Sequence, residues 1–224
     1  MSPAALNLTV PPSKRARVIY AAASVVLSYP DAEVIDRLPL VEQALADAGA
    51  LDGFADTLAH LRSMPLMEVQ AWHVQEFDLS RRHALHLTYW TDGDTRRRGE
   101  VLASIKQTYR DSGLVVDLDG ELPDYLPMVL EFAANGAPAL GVALLNTYRA
   151  SLELLRIGLR EDKLPQVGVL TAVCDTLGGP SPQTRAEVQK LVDSPPTELV
   201  GLDSFISTTP FPVGQSPATV KQGG

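Results

Sequence analysis

The side chains with chemistry to offer are four histidines, one cysteine and a surplus of carboxylates. His83 and His86 stand three apart, which puts two imidazoles on one face of a helix, and Asp78 lies close by in the chain. Such a trio could hold a metal ion for hydrolysis. Two neutral imidazoles alone make a weak site, however, so surface or half-buried histidines are the ordinary expectation. Cys174 falls on the apolar side of its segment and reads as a buried, inert thiol. Asp92 and Asp94 form a DxD pair that turn and helix-capping roles account for. The phosphate cradles GxxxxGK[ST] and GxGxxG are absent, as is the GxSxG nucleophile elbow. No converging set of acid, base and electrophile emerges, so neither catalysis nor a bound cofactor or metal is expected.

A different chemistry is concentrated in Glu121-Leu-Pro-Asp124-Tyr125-Leu-Pro-Met128-Val-Leu-Glu131-Phe132. Carboxylates and a phenol are interspersed with leucine, methionine and phenylalanine, as in a groove that grips a peptide by apolar contact and rims it with charge. The competing reading makes Asp124 a helix cap, with Pro127 at the third helical position, where its missing N–H is harmless. Charge is unevenly spread. Residues 31–60 carry seven carboxylates against Arg37 alone, and residues 111–135 carry six with no lysine or arginine. Residues 81–110 hold seven basic side chains against three acidic ones. Solvated faces would explain each block, but an acidic wall beside apolar surface would also attract a basic, amphipathic peptide.

Composition sets the frame for these elements. A net charge of −8 argues against nucleic acid as the main partner. With 224 residues, 45% of them apolar, the chain suits one globular domain with tails that needs no metal or disulfide to fold. The single cysteine fits a reducing compartment. The longest apolar run, Ala21 to Leu27, is broken by Ser24 and is far too short to cross a bilayer. The N-terminus has no basic region followed by an apolar run, so neither membrane insertion nor secretion is expected.

Residues 1–13 read as a loose arm. Helical periodicity then begins at Lys14, with Val18, Ala22, Val25, Val26 and Tyr29 on one face, and Pro30 ends it. Asp31 caps a second pattern through Val34, Leu38, Val41 and Leu45, where Pro39 predicts a kink or two short helices. Gly49 and Gly53 frame the next turn, before a short helix over Phe54 to Leu61. A helix from Pro65 would gather Met67, Ala71, Val74 and Phe77. Residues 80–90 alternate like a strand, but nothing else in the chain does, so a helix is expected there too. Asp94 caps a helix with Val101, Ile105 and Tyr109 inward, ended by Gly113, and residues 114–121 form a loop. One long helix is predicted from Pro138 to Arg160, with Leu140, Leu144, Tyr148, Leu152, Leu155 and Leu159 inward. Two more carry Val167, Leu170, Cys174 and Leu177, then Val188, Leu191 and Val192. From residue 194 the chain is a Pro/Gly-rich tail, whose Leu202, Phe205, Ile206 and Phe211 could fold back into a groove. The fold class is therefore all-α: a domain of about nine helices over residues 14–193 between a flexible arm and a flexible tail.

Three stretches of this chain resemble the NarJ-type assembly chaperones of respiratory nitrate reductase, within the wider TorD/DmsD group of redox-enzyme maturation proteins. They are Trp72-His-Val-Gln-Glu-Phe77-Asp78, Leu85-His-Leu-Thr-Tyr89-Trp-Thr-Asp92-Gly-Asp94-Thr-Arg96-Arg-Arg-Gly99, and Glu121 to Phe132. Weaker support comes from Leu27-Ser-Tyr29-Pro30-Asp31 and Tyr109-Arg-Asp-Ser-Gly113-Leu. The resemblance implies a helical, cytoplasmic protein without enzymatic activity. Its client would be the catalytic (alpha) subunit of nitrate reductase, held by its N-terminal segment while the molybdenum cofactor enters. The wider group carries Glu-Pro-x-Asp-His, implicated in leader-peptide binding. Here the stretch reads Glu121-Leu-Pro123-Asp124-Tyr125, with the proline displaced by one and tyrosine in place of histidine. The peptide-contacting residues expected on this basis are Trp72, Phe77, Tyr89, Glu121, Asp124, Tyr125, Met128 and Glu131. The alternatives are a small helical metal-dependent hydrolase using His83, His86 and Asp78, and a permanent structural subunit of the reductase.

Overall fold

Local signals start the first helices where the sequence places them. In a computed structural model, which describes residues 11–92, 96–118 and 120–193, the Ser13 hydroxyl accepts a hydrogen bond from Ala16 N and opens α1 (Lys14–Leu27). Asp31 Oδ1 accepts from Val34 N at 2.8 Å and opens α2 (Ala32–Asp47). Gly49, at φ +61°, closes that helix with Ala50 N donating back to Leu45 O, a left-handed stop that glycine adopts without strain. Pro39 does not divide α2. It lies on the exposed side, where the carbonyl it leaves unpaired can be hydrated.

A 3₁₀ turn (Leu51–Phe54) leads into α3 (Ala55–Leu61), then α4 (Leu66–His73), whose last turn widens into a π turn (Val74–Asp78). The buried face here is Val69, His73 and Phe77, spaced by four, and not the face expected from the sequence. Met67 is 80% exposed. Tyr29 and Phe77 pack against the His73 ring at centroid distances of 5.8 and 4.9 Å, which makes an imidazole part of the inward stripe.

Residues 80–86 are not helical, and α5 runs only from Leu87 to Asp92. The alternating stretch finds a partner after all in the non-alternating segment before Leu126. His86 and Tyr125 form an antiparallel bridge, with Leu126 N donating to Leu85 O and Leu87 N to Asp124 O. Next come α6 (Arg96–Asp111), α7 (Leu126–Glu131) and a second π turn (Phe132–Gly136). The predicted cap Asp94 lies outside the described residues.

The long helix predicted over 138–160 is two, α8 (Pro138–Thr147) and α9 (Arg149–Glu161), parted at Tyr148 with φ −101° and ψ 23°. Its inward stripe survives because each half faces a different partner: α8 packs on α7 and the second π turn, α9 on α5. Then follow α10 (Val167–Thr176), which packs on α9 and α1, and α11 (Arg185–Asp193), which packs on α9. Among the described residues the chain is all-α, with eleven α-helical segments and no strand. α1 is central, packed against α2, α7 and α10, and its fully buried Leu27 and Ile19 each contribute roughly 1.5–3 kcal/mol of burial. The expected arm over residues 1–10 and the tail from 194 onward, with Leu202, Phe205, Ile206 and Phe211, lie outside the described residues.

Candidate peptide-binding site

Asp124 is the structural centre of the site, and it does not cap α7. Tyr125 occupies the capping position there and makes no side-chain cap hydrogen bond. The Asp124 side chain is 0% exposed and turns instead to α5, thirty-six residues earlier. Its Oδ2 accepts from Thr88 N at 3.0 Å and from the Thr88 hydroxyl at 2.6 Å, and thereby caps α5 from a distant part of the chain. Its Oδ1 lies 3.3 Å from His86 Nδ1, which must be the donor because an ionised carboxylate only accepts. Arg98 Nε donates to Thr88 Oγ1 at 3.1 Å, with its guanidinium 3.9 Å from the Asp124 carboxylate. Burial pushes the Asp124 carboxyl up, yet the hydrogen bonds from His86 and Thr88 outweigh it and hold it below its ordinary value. The Tyr109 hydroxyl, donating to Pro123 O at 2.8 Å, ties the same strand-like segment to α6.

Two clefts flank this support and share Tyr125 as a wall. The larger, about 570 Å³, is bordered by Leu114 to Leu118, Glu121, Tyr125, Met128, Glu131 and Phe132, with Ser24 and Ser28 of α1 below. Its lining is mostly apolar, and the charged residues that border it among those described are Asp117, Glu121 and Glu131. The smaller, about 270 Å³, is bordered by Phe77, Asp78, Arg81, His86, Tyr89, Arg98 and Tyr125. Each cleft is edged by one of the two π turns, a local widening that recurs at functional sites. Burial, then the negative charges of Glu121 and Asp78, drive the Tyr125 hydroxyl well above its ordinary pKa, so it remains a neutral donor.

Of the residues expected to touch a peptide, Glu121, Tyr125, Met128 and Glu131 meet in the larger cleft, and Phe77, Tyr89 and Tyr125 in the smaller. Phe77 is largely buried, 4% exposed. Trp72 borders neither cleft. It is half-buried against the core and stacks on His60 at 4.1 Å. Asp124 lies beneath the surface as a support. The sequence reading missed the wall Leu114 to Leu118, although three apolar residues directly after the helix-ending Gly113 were a visible signal; Val115 is 100% exposed.

His83 and His86 do not converge. His83 Nε2 is 2.9 Å from Asp162, and its Nδ1 stands 3.3 Å from Glu76 without hydrogen-bond alignment, while His86 turns to Asp124. Among the described residues no group of three or more His, Cys, Asp or Glu side chains is placed to hold a metal ion. Cys174 is fully buried, and burial, then the charge of Glu153, push its thiol up to about 12, away from nucleophilic reactivity. No helix among the described residues is long and apolar enough to cross a membrane.

The family model described as nitrate reductase delta subunit matches residues 42–166. Nitrate reductase-like protein NarX of Mycobacterium tuberculosis is 41% identical over 161 residues, which cover 71% of this chain and 24% of that protein. The nitrate reductase molybdenum cofactor assembly chaperone NarJ of Escherichia coli is 31% identical over 143 residues, 60% of this chain and 59% of that one. The chain thus spans about a quarter of the first relative's length and about three fifths of the second's. A crystal structure described as a redox enzyme maturation protein of Archaeoglobus fulgidus superposes with a TM-score of 0.54 at 19% identity, over 76% of this chain and 98% of that one, a likeness of fold alone.

Proposed function

Because the chain belongs to the nitrate reductase delta subunit family, we propose that it is an assembly chaperone, which binds the N-terminal segment of the immature catalytic (alpha) subunit and holds that subunit open for molybdenum cofactor insertion. The observation that carries this reading is the larger cleft, an apolar trough whose charged rim groups among the described residues are carboxylates. A guest helix would lay apolar residues at i, i+3, i+4 and i+7 on Met128 and Phe132. Its basic positions would face Glu121 and Glu131, which also makes encounter faster at low salt. The reading gives the chain no bond-making step and no resident cofactor, and it places the work in the cytoplasm, before the enzyme reaches the membrane.

Calorimetric titration of a synthetic peptide of the client's N-terminal segment tests it. Wild type should bind, and Met128→Ala and Tyr125→Ala should weaken binding by about tenfold each, the scale of a lost apolar or aromatic anchor. Unchanged affinity in both variants would remove this cleft from the interface.

A further inference from the structure

The smaller cleft contains a carboxylate, Asp78, that makes no ion pair or hydrogen bond among the described residues. Asp78 is the last residue of the first π turn, and its neighbour Phe77 is pinned in the core between His73 at 4.9 Å and Trp72 at 5.8 Å. Glu76, one residue earlier, lies 3.3 Å from His83 Nδ1, and His83 Nε2 is 2.9 Å from Asp162 at the end of α9. The packing of Phe77 thus anchors the turn that presents Asp78 to the cleft. Among the described residues no cation pairs with Asp78. The other charges of the cleft are accounted for differently. Arg98 is committed to Thr88 and the Asp124 carboxylate, and His86 donates to the same carboxylate. Arg81 stands on the rim three residues away and makes no ion pair with Asp78.

We propose that the smaller cleft continues the peptide site past Tyr125, and that Asp78 is the residue there that selects a basic side chain of the client. The inference rests on the reading of the larger cleft as the place of the client's helix. Tyr125 is the shared wall, with Glu121 in one cleft and Asp78 in the other. The negative charges of both carboxylates raise the pKa of its hydroxyl, after burial. Asp78 is exposed, yet partial burial by the cleft walls raises its pKa, against a lowering by His86. A carboxylate in that state gains most from a cation that arrives with its own hydrogen-bond donors. The client must then carry basic residues on both sides of the apolar residue that covers Tyr125, at the spacing of one helix face.

Affinity of the full chain for the client's N-terminal peptide tests this, with the peptide's lysines and arginines replaced one at a time by neutral residues. Asp78→Asn should weaken the native peptide about five- to tenfold and flatten the salt dependence. One of the charge-removed peptides should bind wild type and Asp78→Asn equally well. Arg81→Gln should leave affinity unchanged or raise it. If Asp78→Asn binds every peptide as wild type does while Tyr125→Ala weakens them, the inference fails and the larger cleft stands. A uniform loss across all peptides would also overturn it, because no single contact is then specified. So would weakening by Arg81→Gln, which would mean that the cleft receives an anion. If neither Asp78→Asn nor Tyr125→Ala has an effect, the docking site itself is misplaced.

Discussion

Replacing Asp124 by alanine should destabilise the fold before it affects any partner. The substitution removes the acceptor for two buried Thr88 donors, the amide at 3.0 Å and the hydroxyl at 2.6 Å, in a residue that is itself fully buried. Each buried donor left without an acceptor costs about 1–3 kcal/mol, so the pair costs about 2–6 kcal/mol. That is a large share of the roughly 5–15 kcal/mol that holds a domain together. With a urea slope of about 2–3 kcal/mol/M, the unfolding midpoint should fall by about 0.7–3 M. Asp124→Asn keeps an oxygen for the Thr88 amide and should lose about half as much. The pH dependence adds a second check. The folded pKa of Asp124 lies below its ordinary value, so its charge-dependent stability is complete above about pH 4 and is lost as pH falls through the folded value. The gap between wild type and Asp124→Ala should therefore be constant from neutral pH to about pH 5 and narrow in more acidic buffer, where the neutral carboxyl still accepts from Thr88. Urea melts followed by circular dichroism at several pH values measure both. A loss below about 0.5 kcal/mol, or a gap that persists unchanged into acid, would refute the claim that this carboxylate caps α5.

Two further outcomes follow from burial and close packing. Burial holds the His73 imidazole down at about 4, so its neutral form is the folded one. Stability should be full above about pH 6.5 and fall as pH drops through 4, by about 3 kcal/mol in total, and His73→Phe should remove that slope; an imidazole that titrates near 6.5 by NMR would contradict this. A methyl group at Gly168 would stand 2.2 Å from Gly53 O, where α10 crosses the 3₁₀ turn, so Gly168→Ala should cost about 1–3 kcal/mol or more. Gly99→Ala, in α6 with nothing within 4 Å, should instead be neutral or stabilising by up to about 1 kcal/mol, and equal thermal midpoints for the two variants would defeat the packing argument.

What the sequence reveals about this fold is what neighbouring residues decide among themselves. Ser13, Asp31, Gly49 and Gly113 act within a turn of their own position, and the helices that they bound are where the pattern puts them. The leucine stripe of residues 140–159 was equally legible, but not the break inside it. Tyr148 keeps the period while α8 and α9 take different partners, and no local signal marks a change of partner. The face of α4 was misread for a related reason: a histidine, polar by type, joins Val69 and Phe77 in the core as an uncharged ring. Of the candidate site, the stretch Glu121 to Phe132 was legible because its apolar and acidic residues are contiguous. The bridge from His86 to Tyr125 was not, because its two halves share no periodicity and meet only in three dimensions.

That bridge explains why the stretch combines two prolines with buried polar groups. Two clefts can share one wall only if Tyr125 is held still on both sides. Pro127 gives up an N–H that has no partner at the start of α7, and Pro123 supplies a carbonyl to Tyr109. Leu85 O and Leu87 N pair with the backbone around Tyr125, and the Asp124 carboxylate locks the same segment to Thr88, His86 and Arg98. The polar groups named here are thereby used within the protein, while the phenol of Tyr125 and the carboxylates of Glu121, Glu131 and Asp78 border the clefts. An acidic residue at position 124 is needed for that arrangement whether or not a peptide ever touches it, and a motif built around it would look like a binding motif even though its most buried member binds only its own fold.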